Sequence, residues 1–474
     1  MVFTSLSFLI FIAVTVIIYL LLPQKIKSFF LIAASLVFYF WWKPWAPLFI
    51  ISFALFNFFI ARVIAKRKDK KLPFLLIGAG VSVALFFIFR YNILGGLVNK
   101  IFSADGVDIT ILFPLGFSYY MFKCVSYLID VNNGTIEPSK RFDRFLLYVT
   151  YFPEVSMGPI TRAVDFLPQI ETEKKADVQT INKGVALVAW GFFKKVVIAD
   201  KLASFIAPYY DGVQTSENGF VWFLMAFGFL LQLYLDFSAY TDISVGVSKM
   251  LGYDIKHNFK APFFAKSISE FWRKWHISLS SWLLDYVFTP LQFLLRRLGK
   301  FASIIPALVT FTLIGVWHGG TSAYLVFGFS MGVLVSVDAL FARQRKKLKK
   351  KMRKGLFNTA GIIITMLLNI LVFVFMRTAA AGSGFEMWGS IFKCSSWSVQ
   401  TGLGAEFFIV FALAIVFTLC SHLIEQKSEK FFDSFTTLKL PVMWAVYLVV
   451  IFAVILFGYY GPGYDPIEFI YIGF

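Results

Sequence analysis

Ala302-Ser303-Ile304-Ile305-Pro306-Ala307-Leu308-Val309-Thr310-Phe311-Thr312-Leu313-Ile314-Gly315-Val316-Trp317-His318 carries no ionisable side chain before its last residue. A bilayer core is crossed by about 20 consecutive apolar residues in a helix. Read that way, the stretch ends on a histidine set at membrane depth and followed by Gly319-Gly320. An ionisable group there costs free energy, which makes it a functional-site hypothesis by default. The whole chain matches the reading. Of its 474 residues 58% are hydrophobic and only 15% charged, with mean hydropathy +0.74. Soluble proteins carry about 25% charged residues. The fold class expected is an all-α polytopic membrane protein.

Apolar runs recur at 4–22, 28–42, 45–62, 73–90, 110–130, 184–205, 219–237, 302–318, 321–341, 357–377, 404–424 and 440–460. They predict 11–12 transmembrane helices, with the runs near Leu112 and Val185 less clean than the rest. The first run, Phe8 to Leu22, lacks a preceding Lys or Arg and a small-residue cleavage site, so it reads as a span rather than a leader. Basic loops set the orientation. Arg62–Lys71, Lys249–Lys274 and Arg343–Lys354 are expected on the cytoplasmic side, which places the N-terminus outside. The count stays in phase if 146–160 and 282–298 do not cross fully. Both are interrupted by proline, and re-entrant segments are tolerated where protein buries them. The net charge of +18 is then loop charge facing the cytoplasm and anionic lipid, not a nucleic-acid surface. The three cysteines, Cys124, Cys394 and Cys420, show neither metal nor disulfide spacing. No internal repeat and no separate soluble stretch divides the chain, so 1–474 reads as one membrane domain.

Two of the four histidines lie in one stretch. His318 follows Trp317 and is flanked by Gly315, Gly319 and Gly320, which permit close approach of a ligand or another helix. A neutral imidazole can accept a hydroxyl proton as general base; it can equally hydrogen-bond a neighbouring helix as structural glue. His276 lies in Glu270-Phe271-Trp272-Arg273-Lys274-Trp275-His276-Ile277-Ser278-Leu279-Ser280. Helical spacing puts Trp272, His276 and Ser280 on one face and makes Glu270 and Lys274 an i,i+4 pair. Such a segment either lies in the membrane interface or lines a cytoplasmic opening. Asp236 and Tyr240 share a helix face after the apolar run 221–235, and a carboxylate there needs a partner. The broken stretch Phe152-Pro153-Glu154-Val155-Ser156-Met157-Gly158-Pro159-Ile160-Thr161-Arg162 is either a plain turn or a ligand loop. His257 and His422 read as structural. No P-loop, no G-x-S-x-G with a partner histidine, no H-E-x-x-H and no C-x-x-C occurs, which argues against a P-loop pump, a serine hydrolase and a zinc site.

These residues resemble the membrane-bound O-acyltransferase family, in its bacterial alginate O-acetyltransferase-like branch. The resemblance runs from Met1-Val2-Phe3-Thr4-Ser5 through Pro114-Leu115-Gly116-Phe117-Ser118-Tyr119 and Asp236-Phe237-Ser238-Ala239-Tyr240-Thr241-Asp242 to Gly315-Val316-Trp317-His318-Gly319. It implies transfer of an acyl group, usually acetyl, to a sugar hydroxyl, with His318 catalytic in a central tunnel and His276 toward its cytoplasmic mouth. It implies a thioester donor such as acetyl-CoA, no bound cofactor, and an operon-encoded extracytoplasmic acetyltransferase or acceptor protein acting on a polysaccharide. The expected place is the bacterial plasma membrane. Trp317, Gly319, Trp272, Arg273, Lys274, Asp236 and Tyr240 are expected to line the tunnel or bind substrate. Leu284, Gly320, Thr321 and Ser322 depart from the family's usual pattern, and Leu284, Thr321 and Ser322 are expected to carry this chain's own specificity. D-alanyl transfer to teichoic acid is the related alternative. A lipid-linked-sugar transporter or a scaffold subunit is the alternative from another class.

Overall fold

A computed structural model describes residues 5–67, 71–93, 113–172, 176–392, 397–427 and 431–460. Met1–Thr4, Lys68, Lys70, Cys394 and the start of the 110–130 run lie outside the described residues. Among the described residues nine helices are long and apolar enough to cross a membrane: Gln24–Trp42, Ala46–Lys66, Lys71–Arg90, Gly219–Met250, Phe301–His318, Ser322–Leu340, Lys354–Met376, Ala405–Ile424 and Leu440–Phe457. A shorter apolar helix, Ser7–Leu21, precedes them. Leu440–Phe457 buries only Met443, and its exposed leucines, valines and phenylalanines are what a lipid-facing helix presents. The chain is a multi-pass, all-α membrane protein.

The two less clean runs are absent from those nine. The first corresponds to Phe117–Asn133, a helix with most of its side chains buried in protein. The second is interrupted: Val178–Phe192 passes through a π-helical stretch, Phe193–Ala199, into Asp200–Tyr210. The segments expected not to cross are short, as the phase of the loop charges requires. Phe142–Thr150 has nine residues. Beyond it, Ile277–Leu283, a π-helical Leu284–Phe288 and Thr289–Leu294 follow one another in pieces of seven, five and six, each far below the ~20 residues a span needs.

The chain falls into two compact units, residues 1–188 with 240–256, and residues 189–239 with 257–470. In the first, the proline-broken stretch is a tightly held turn. Lys123 Nζ meets Glu154 Oε2 at 2.7 Å, Thr161 donates to the other Glu154 oxygen, and Ser244 Oγ donates to the Pro153 carbonyl at 2.5 Å. Gly116 has φ +67°, and a Cβ there would run into the Val155 carbonyl. In the second unit Phe301–His318 and Ser322–Leu340 form a close hairpin. A Cβ on Gly315 would collide with the Tyr324 carbonyl, and one on Gly328 with that of Phe311. Small residues let membrane helices approach this closely. Gly328→Ala is therefore expected to force the hairpin apart at about 1–3 kcal/mol. A lowered melting temperature in detergent would show it; an unchanged one would contradict the packing.

Candidate active site

The site builds from Ser267. Its side chain accepts the Glu270 N–H at 3.3 Å and caps the one-turn helix Ile268–Trp272. Glu270 in turn accepts the Lys266 N–H at 3.0 Å and pairs with Lys274 Nζ at 2.8 Å, so the predicted i,i+4 pair forms. Burial pushes the Glu270 carboxyl up, but the hydrogen bonds from Lys274 and Lys266 outweigh it and hold the group below its usual range.

The shared helix face of Trp272, His276 and Ser280 does not exist. The helix stops at Trp272, His276 adopts the left-handed conformation (φ 45°, ψ 54°), and a new helix begins at Ile277. Asn258 makes the break possible. Its carbonyl accepts the Ile277 N–H at 2.9 Å and its side-chain oxygen accepts the Ser278 N–H at 3.2 Å, supplying the partners that a helix start lacks. A positive φ on a non-glycine residue costs of order 1–3 kcal/mol and persists only where surroundings impose it.

That turn aims His276 inward. It is 1% exposed, with its ring edge-on to Phe237 at 4.7 Å and 6.4 Å from Trp317. Trp317 lies 4.5 Å from the ring of His318. His318 is 3% exposed, roughly parallel to Tyr324 at 6.2 Å and edge-on to Phe327 at 6.1 Å. Trp317 thus stands between the two histidines. Trp272 packs on Phe311 at 4.9 Å, and its buried indole N–H has no hydrogen-bond partner among the described residues. Gly319 leaves the helix extended, and a side chain there would strike the Tyr324 ring. Burial pushes the His276 imidazole down to about 3, so it is neutral at physiological pH.

The other residues singled out make contacts of their own. Arg273 is exposed and donates to the Ser269 carbonyl; Lys274 is half-buried with Glu270. Leu284 is half-exposed on the π-helical piece, and Ser322 Oγ accepts the Ala381 N–H at 3.0 Å. Asp236 is committed to Lys195, Nζ to Oδ1 at 2.6 Å, and Tyr240, in the other unit, shares a 2.5 Å hydrogen bond with Ser156. His422 is engaged on both ring nitrogens: Tyr234 bonds its Nδ1 and the Phe263 N–H donates to its Nε2, both at 3.3 Å. Among the described residues no three His, Cys, Asp or Glu gather as metal ligands.

Sequence reading passed over Lys194 and Lys195. Both are buried on the π-helical stretch, Lys195 bridging Asp200 and Asp236 at 2.6 Å each, Lys194 donating to Ser238 at 2.9 Å. A lysine doublet inside the 184–205 apolar run was the available signal, since intramembrane charges require partners. Asn258 gave no signal of its own.

Residues 139–378 match the model of the MBOAT, membrane-bound O-acyltransferase family. The chain is 30% identical over 433 residues to a probable alginate O-acetylase of Pseudomonas putida, covering 88% of this chain and 87% of the relative. It is 28% identical over 387 residues to a peptidoglycan O-acetyltransferase of Helicobacter pylori, covering 75% and 72%. A teichoic acid D-alanyltransferase of Bacillus subtilis is 31% identical over 244 residues, covering 50% of this chain and 61% of the relative. With the family match across half of the chain and the long relatives beyond it, this protein belongs to the membrane-bound O-acyltransferases and is an O-acyltransferase.

Proposed function

We propose that the chain moves an acetyl group from a cytoplasmic thioester, acetyl-CoA, toward the hydroxyl of an extracytoplasmic polysaccharide, with His318 as general base. The supporting observation is His318 itself, buried at the end of an apolar helix and joined through Trp317 to a second buried histidine. His318 takes the acceptor hydroxyl's proton as that oxygen attacks the thioester carbonyl carbon. The tetrahedral intermediate then expels the thiolate, which takes the proton from the imidazolium. Exclusion of water by Trp317, Tyr324 and Phe327 limits hydrolysis of the acyl group. Arg273 and Lys274 favour an anionic donor by charge. An extracytoplasmic acetyltransferase would receive the group and complete its delivery, and the plasma membrane is the place of action.

The acetyl reading is preferred over D-alanyl transfer because the O-acetylase relatives cover most of this chain and the D-alanyltransferase half of it. Vesicles with the cytoplasmic face outward, loaded inside with the acceptor polysaccharide and the extracytoplasmic acetyltransferase and supplied outside with radiolabelled acetyl-CoA, test the choice. Labelled polysaccharide is the expected product. Label transferred only from a D-alanyl carrier protein would overturn it.

His276 has a separable test. Asparagine tolerates the left-handed conformation better than most residues, so His276→Asn is expected to fold and to lose roughly 10–100-fold in rate through misplacement of the donor. A folded variant at full activity would remove His276 from the site. The same histidine makes stability depend on pH. Below about pH 6.5 the unfolded chain binds a proton there that the folded chain refuses, so stability falls as pH drops through that value. Thermal melts at descending pH should show a shallower loss in His276→Asn.

A further inference from the structure

We propose that Asp338 is a positioning residue for acyl transfer: through Ser269 it holds Arg273 where the anionic donor enters. The proposal rests on the donor-side reading of Arg273 given above. Asp338 lies in the last turn of Ser322–Leu340, and its side chain is 9% exposed. A carboxylate at that place is disfavoured twice. Burial strips its water, and the carbonyl end of a helix repels negative charge. Two sets of contacts offset this. Arg345, on the following helix Ala342–Lys351, pairs through Nη1 with Asp338 Oδ1 and donates from Nη2 to the Asp338 carbonyl at 3.3 Å. The other carboxylate oxygen, Oδ2, accepts the Ser269 N–H at 3.1 Å.

The bond to Ser269 is the one that reaches the site. Ile268–Trp272 is a single turn, and a helix this short does not hold itself together. Ser267, just before it, gives the Glu270 N–H an acceptor. Asp338 gives the Ser269 N–H one from a helix far along the chain. Ser269 is thus gripped at both ends of its main chain, its N–H by Asp338 and its carbonyl by Arg273 Nε at 3.1 Å. One residue separates the fixed carboxylate from the guanidinium. Arg273 is exposed, and an arginine whose Nε is committed still presents its two Nη groups to a phosphate in a fixed plane. Asp338, Arg345, Ser269 and Arg273 all lie in the second unit. With the tie cut, the turn is free to shift and takes Arg273 with it, while His318 keeps its own surroundings.

The test uses the full chain in the loaded vesicles, with initial acetyl-transfer rates taken over a range of acetyl-CoA concentrations. Arg273→Gln is expected to raise KM for acetyl-CoA about fivefold, near what one cation contributes beside a phosphate. Asp338→Ala is expected to raise KM by a similar factor, with kcat held within about twofold. Asp338→Asn keeps an oxygen for the Ser269 N–H and is expected to recover most of the loss. The double variant Arg273→Gln with Asp338→Ala should match the worse single one, because residues acting through one path do not add. A residue that only supports the fold would lower kcat per milligram, and its effect would multiply with that of Arg273→Gln. The proposal is overturned if Asp338→Ala leaves KM unchanged, if the asparagine variant is as impaired as alanine, or if the two effects multiply. An unchanged KM in Arg273→Gln would instead overturn the donor-side reading, and the role of Asp338 with it. One measurement needs no variant to fold. Amide exchange in the wild-type chain, read residue by residue, should find the Ser269 N–H at least about tenfold slower than an unstructured amide; unprotected exchange there would remove the tie.

Discussion

Replacing His318 with alanine is expected to lower acyl transfer by about 10²–10⁴-fold, the usual worth of a positioned general base. The imidazole is 3% exposed and stands beside Trp317, Tyr324 and Phe327. No other ionisable side chain lies in the apolar run 302–317 that precedes it, so the helix offers no substitute base. The measurement is acetyl transfer per milligram of correctly inserted protein, alongside a melting curve. His318→Gln keeps most of the side-chain volume and is expected to be as inactive as alanine. That pair separates proton transfer from cavity formation. Activity within threefold of wild type in the glutamine variant, at equal protein level, would end the general-base assignment.

Lys195→Met is expected to have the largest effect on stability. The ammonium bridges Asp200 and Asp236 at 2.6 Å each, with the three side chains 0%, 6% and 2% exposed. Its removal leaves two carboxylates buried beside each other. Breaking a buried ion pair by deleting one partner costs about 3–5 kcal/mol, a large share of the ~5–15 kcal/mol that holds a domain folded. Loss of monodisperse protein on detergent size exclusion, or a melting temperature far below wild type, is the expected readout. Replacing all three residues together with apolar side chains of similar volume should recover much of that loss, because a buried ionic group and a well-packed apolar one are often close in energy. A Lys195→Met protein that melts within a degree or two of wild type would show the network to be dispensable. A protein stable but inactive would instead tie it to Phe237, whose ring packs on His276.

The contrast between these two residues locates what could be read from the chain. His318 was legible because its setting is local. An uninterrupted apolar run ends in a histidine between glycines, and both the run and the interruption lie within one helix. The same locality explains why the membrane class and the loop-charge orientation follow from composition alone. A bilayer forces every spanning segment to satisfy its own backbone, so each span must declare itself in about 20 consecutive residues. It also explains why 146–160 and 282–298 could be marked as segments that do not cross.

Partners and turns were another matter. Asp236 was recognised as needing a partner, but its partner stands 41 residues earlier in the chain on a π-helical stretch that no periodicity announces. His276 was placed on a continuous helix because Trp272, His276 and Ser280 have helical spacing. The break there depends on Asn258, 18 residues upstream of it, whose carbonyl and side chain supply the acceptors for Ile277 and Ser278. Chain order alone marks where the long apolar helices lie and which side chains could carry chemistry, since those follow from hydrophobic runs and side-chain type. Which charge meets which, and which way a histidine faces, comes from contacts between segments far apart in the chain, and only the tertiary structure decides them.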